Sequence, residues 1–101
     1  MSFGSPAADY AENKLDLNRF IARHPISTYY LRMDNDRLCP EGINKGDILV
    51  VDRSLTPRER QLVVGETDRE FKVLHFSPRQ AAQAAEMMVW GVVTAVIRKL
   101  H

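Results

Sequence analysis

The 101 residues contain a single cysteine, Cys39, so no internal disulfide can staple the chain. Also missing is any apolar run long enough to cross a bilayer. The opening Met1-Ser2-Phe3-Gly4-Ser5-Pro6 has neither the basic segment nor the hydrophobic stretch of a secretory leader. These absences lead us to expect a cytoplasmic chain with no membrane contact. An excess of charge of either sign is lacking too. Fourteen Lys and Arg against thirteen Asp and Glu leave a formal net charge of +1, which argues against a broad basic face for direct, sequence-specific nucleic-acid binding. Arg53, Arg58 and Arg60 crowd one connection, but with Asp52 and Glu59 among them they read as a solvated loop. His24, His75 and His101 fall at no metal-ligand spacing, so no metal or other cofactor is expected.

Nucleophiles are equally sparse. Cys39 is followed by Pro40 and carries no catalytic signature, so it reads as a small half-buried side chain. Ser54 and Ser77 stand among turn formers rather than on a nucleophile elbow and read as solvated loop serines. His24, directly before Pro25, is expected to end a helix.

What the chain does contain is β-branched residues in turn-separated runs. Residues 1–14 are polar, rich in small residues and without periodicity, and are expected to form an extended or mobile tail. Residues 15–101 are long enough for one core. Asp16 is a plausible N-cap, with Leu17, Phe20 and Ile21 at i, i+3 and i+4, so one short helix is expected near residues 16–23. Strands are expected over 28–32, 47–52, 61–66, 69–75 and 89–98, with Tyr30, Ile48, Val50, Leu62, Val64, Phe71 and Val73 in the core. Pro40-Glu41-Gly42, Asn44-Lys45-Gly46, Leu55-Thr56-Pro57 and Thr67-Asp68 supply the turns. The near-continuous run from Trp90 to Ile97 fits a strand covered on both faces. The fold class is therefore mainly β, a small curved antiparallel sheet with one short helix. Between Phe76 and Val89, the Ala, Gln and Glu content with Pro78 at its start favours a short helix or loop, and Met87-Met88 reads as core packing.

One stretch is more specific than composition. The segment from Arg32 to Asp52, with Gly42-Ile43 and Gly46-Asp47-Ile48-Leu49-Val50-Val51-Asp52, resembles the nucleophile loop and following strand of the LexA/UmuD family of serine–lysine self-cleaving proteins. The series Ser5-Pro6-Ala7-Ala8-Asp9-Tyr10, Leu15-Asp16-Leu17-Asn18, His24-Pro25 and Thr28-Tyr29-Tyr30 resembles the opening of the UmuD branch after removal of its arm. The likeness covers about residues 3–76 and 89–100. It implies a serine at position 37 and a lysine at position 74, where this chain has Arg37 and Leu74. On that alignment both halves of the dyad are replaced, no catalytic residue remains, and the chain is expected to be a pseudo-protease. Lys72 lies two residues before Leu74, about 7 Å away at about 3.3 Å per residue, too far to serve as a displaced base. Arg37 is then expected either to be exposed or to pair with Asp34 or Asp36 and close the former cleft. Its early start, beside a family in which RecA-stimulated cleavage removes the arm, fits a form made already short, or an artificially chosen boundary.

The resemblance implies a non-catalytic accessory subunit that supports error-prone translesion DNA synthesis in the SOS response to DNA damage. Its expected partners are a second copy of itself, a Y-family DNA polymerase and the RecA filament. A second reading is a dimerisation partner that forms heterodimers with an active UmuD-like or LexA-like chain and regulates it. A third is a serine-type autopeptidase with displaced catalytic residues. For the dimer contact, the expected residues are Val64, Phe71 and Trp90.

Overall fold

The computed structural model describes residues 15–79 and 87–101. The tail expected over residues 1–14 lies outside the described residues, as do residues 80–86 of the segment expected to be helix or loop. Among the described residues, five strands form one antiparallel sheet: β1 (Thr28–Arg32), β2 (Ile48–Asp52), β3 (Leu62–Thr67), β4 (Glu70–His75) and β5 (Met88–Ile97). Their spatial order is β1-β2-β5-β3-β4, which leaves β1 and β4 as edges and sets the last strand in the middle. Helix α1 (Leu17–Ile21) is short, and the Asp16 side chain caps it by accepting from the Arg19 amide at 3.3 Å. The described residues include no helix long and apolar enough to cross a membrane.

Local chemistry explains the connections. Strands β3 and β4 form a two-residue hairpin in which Asp68 and Arg69 both take positive φ, 46° and 71°. This is the left-handed pair that matches the twist of the flanking strands. Between β1 and β2 the chain runs through a 3-10 turn at Cys39–Glu41 and two left-handed glycines, Gly42 at φ 87° and Gly46 at φ 94°. A side chain at either would be strained.

The core differs from the sequence expectation in one systematic way. Val50 and Val64 are fully buried, as expected, and Ile48, Leu62 and Val73 are half-buried, but Tyr30 is 51% exposed and Phe71 48% exposed. In their place Leu49, Val51, Val63 and Val92 are buried. Both faces of β2 are covered, so alternation along that strand does not distinguish an inner face from an outer one. On one face Leu49, Val51 and Val64 pack with Met33, Leu38 and Ile43, three residues that the long β1–β2 loop folds back over the sheet. Gly91 on β5 permits this packing, because a Cβ there would come within 2.5 Å of the Val51 Cγ1. The Met87-Met88 pair splits: Met87 lies against Gly65, and Met88 is exposed.

Candidate functional site

The loop between β1 and β2 is held in place before it does anything else. Its Asp47 is buried, at 3% exposure, and accepts from the Asn44 amide at 2.8 Å and from Arg98 through Nε at 2.8 Å and a terminal nitrogen at 2.7 Å. Arg98 also donates to the Gly42 carbonyl at 2.7 Å. The hydrogen bonds from Arg98 and the Asn44 amide hold the Asp47 carboxyl down at about 2, below its ordinary 3.8. Within the loop, the Lys45 amide donates to Asp36 at 2.9 Å, and Asp34 accepts from the Asn35 side chain at 2.8 Å.

Arg37 sits on this frame. Its own amide donates to the Asn35 side chain at 3.0 Å, and its guanidinium crosses to the edge strand and donates to the Val73 carbonyl at 2.9 Å. Arg37 is exposed, one of the two outcomes expected for it. The pairing with Asp34 or Asp36 does not form, since both acids serve the loop's own turns. Behind the guanidinium lies a cavity of about 230 Å³ lined by Leu31, Met33, Leu49, Val64, Phe71 and Val73 among others, open towards Asp34, Glu70 and Lys72. Among the described residues, none of the side chains lining this cleft is a serine, threonine or cysteine.

Leu74 does not join Arg37. The register pairs Val64 with Val73, and Val63 with Leu74. Successive side chains of a strand point to opposite faces. Val73 and Phe71 therefore face the cleft, while Leu74 turns to the other side and packs towards Gly65. The structure thus brings Arg37 to β4 but not to the side chain at position 74. A second contact between loop and edge lies lower down: His75 Nε2 meets the Glu41 carboxylate, and His75 Nδ1 faces the Arg60 carbonyl at 3.0 Å.

The residues expected at a dimer contact separate by burial. Val64 is 0% exposed and belongs to the chain's own core. Trp90 is half-buried and Phe71 exposed, their ring centroids 5.0 Å apart. Tyr29, also exposed, meets Trp90 edge-on at 5.2 Å. Arg53 spreads over the Trp90 ring at 4.5 Å and donates to its carbonyl at 2.8 Å. That arginine is committed to an aromatic row and is not part of a free basic cluster.

Two readings from the sequence need correction. Ser54 is not an idle loop serine: its amide and hydroxyl donate to Asp52 at 2.8 and 2.7 Å. His24 does more than end a helix, since its Nδ1 meets the same carboxylate at 2.6 Å, and Ser27 adds a third side-chain donor at 2.9 Å. Burial pushes the Asp52 carboxyl up, but the bonds from Ser54, His24 and Ser27 outweigh it and hold the carboxyl well below the usual range. The Asp47–Arg98 and Glu41–His75 contacts were also missed. Their partners are 51 and 34 residues apart, a separation that no local pattern spans.

Comparison with known proteins places this geometry in a lineage. The pattern described as "Peptidase S24-like" matches residues 1–82. Protein SamA of Salmonella typhimurium (strain LT2) is 39% identical over 109 residues, which cover 96% of this chain and 78% of that protein. Protein ImpA of Escherichia coli is 37% identical over 111 residues, covering 96% and 77%. Protein MucA of Escherichia coli is 35% identical over 108 residues, covering 91% and 74%.

Proposed function

The chain belongs to the Peptidase S24-like family, and from that premise we propose that it is a non-catalytic, UmuD-like accessory subunit supporting error-prone translesion DNA synthesis. The observation that carries the reading is the Arg37–Val73 bond. A guanidinium stands at the position the resemblance assigns to the nucleophile, and it spans the cleft to the edge strand. It stays protonated and has no lone pair with which to attack an acyl carbon. At position 74 a leucine, turned to the other face of β4, has no proton to exchange. A cleft furnished in this way binds its own loop and performs no acyl transfer.

The partner surface in this reading is the aromatic row of Tyr29, Trp90 and Phe71, where a second copy of the chain docks. Exposed aromatics anchored on a sheet often carry much of an interface's energy. The polymerase partner rests on the family resemblance.

The test has two arms. Incubation with activated RecA filament, or at alkaline pH, leaves both this chain and an armed UmuD-like substrate uncut; cleavage that survives Cys39→Ala sinks the non-catalytic reading. Expression in a cell lacking its own UmuD-like protein restores damage-induced mutagenesis. Lowered mutagenesis in a cell with an intact copy, without rescue, points instead to a regulatory partner that titrates active chains into mixed dimers. For the dimer surface, Phe71→Ala shifts the protein towards monomer in sedimentation at micromolar concentration, and a wild type already monomeric there defeats the proposal.

A further inference from the structure

The loop that carries Arg37 touches the edge strand a second time, through a histidine whose two ring nitrogens both meet acceptors. His75 closes β4. Its Nδ1 faces the main-chain carbonyl of Arg60 at 3.0 Å, and its Nε2 faces a carboxylate oxygen of Glu41 in the 3-10 turn of the loop. A carbonyl oxygen can only accept, and so can an ionised carboxylate. A neutral imidazole has one N–H and so can satisfy only one of them; the imidazolium has two and satisfies both. The charged residues that face the ring are Glu41, from the loop, and Arg60, from the connection before β3, which presents its carbonyl.

We propose that His75 and Glu41 form a protonation-gated clasp that holds the loop over edge strand β4, closed while His75 is charged and released when it is neutral. Arg37 is the upper tie between loop and strand and Glu41–His75 the lower one. Only the lower one titrates near neutral pH, because a guanidinium keeps its proton. Release of the lower tie frees the Cys39–Glu41 turn and uncovers the end of β4. The remaining Arg37 bond and the Asp47–Arg98 anchor keep the rest of the loop seated. The hydrogen bonds to Glu41 and to the Arg60 carbonyl both raise the affinity of His75 for its second proton above the ordinary value of 6.5. The clasp is therefore complete below pH 6.5 and is lost as pH rises through the higher folded-state midpoint.

The inference does not depend on the chain's role in mutagenesis, and its test needs only the purified protein. Long-range proton–nitrogen spectra of the histidine rings, recorded from about pH 5 to about pH 9, read the protonation of each nitrogen directly. The expected result is that both His75 nitrogens carry protons at pH 6.5, with a midpoint above that of the Glu41→Gln variant. Amide exchange in the Cys39–Glu41 turn is expected to be faster in Glu41→Gln than in wild type by up to about fivefold at about pH 6, the factor an exposed ion pair supplies. The two proteins converge above the wild-type midpoint. A His75 with one bare nitrogen at pH 6.5, a midpoint unchanged in Glu41→Gln, or equal exchange in the two proteins at the lower pH each overturns the clasp. Both side chains are about half exposed, so the variant folds and either result can be read.

Discussion

Strand β2 has a buried carboxylate at each end, and the two are held by opposite means. Asp47, just before the strand, is bound to Arg98 across the sheet, a partner 51 positions away that keeps its charge at any ordinary pH. Asp52, the last residue of the strand, is 5% exposed and collects several donors: the Ser54 amide, the Ser27 and Ser54 hydroxyls and the His24 ring. One end is a charge pair that fastens the functional loop to the strand β5 side of the sheet. The other is a hydrogen-bonding hub that fastens the segment after α1. A buried carboxylate thus does not by itself mark a catalytic acid; here each is fully occupied with assembly.

The comparison can be broken by mutation. The largest loss is expected for Asp52→Ala, which removes the acceptor of four donors at once. About 3 kcal/mol should be lost, read as a lower midpoint in urea unfolding. A smaller loss than that of Asp47→Asn would reverse the order of the two ends. Asp47→Asn is expected to destabilise next, with a characteristic pH profile. The carboxyl's folded pKa is depressed to about 2 from 3.8, so the difference between variant and wild type is full above pH 3.8 and disappears as pH falls through about 2. Thermal unfolding across that window measures it, and a difference that persists at the acid end would show that Arg98 is not the cause. The smallest effect belongs to His24→Ala, at most about 1 kcal/mol, because the two serines keep the Asp52 carboxylate satisfied. A loss as large as that of Asp52→Ala would make the histidine, and not the carboxylate, the centre of that end.

How much of this was legible in the sequence depended on the distance over which each feature acts. Each observed strand begins and ends within one residue of its expected range, because β-branched runs and turn residues are local signals. The Asp16 cap and the left-handed Gly42 and Gly46 are equally local. The phase of the sheet was not legible. Tyr30 and Phe71 look like core residues, yet they sit on edge strands with exposed faces, while Leu49 and Val51 are buried because the β1–β2 loop folds Met33, Leu38 and Ile43 back over them. At the site, Arg37 at the nucleophile position could be read from the resemblance. Its partner, a main-chain carbonyl on β4, could not, since no side-chain pattern encodes it.

The strand order carries a consequence for how the protein is made. Hairpins β1–β2 and β3–β4 each join strands that follow one another in the chain, but their strands are joined into one sheet only through β5, which pairs with β2 on one side and β3 on the other. While the ribosome is still adding residues before Met88, the nascent polypeptide holds two separate ribbons, each too small to persist in water. Arg98, the anchor of the Asp47 loop, emerges later still. The sheet is therefore completed only once β5 has been made, and a ribosome that stalls short of that strand releases two sticky half-sheets instead of a damaged but recognisable domain.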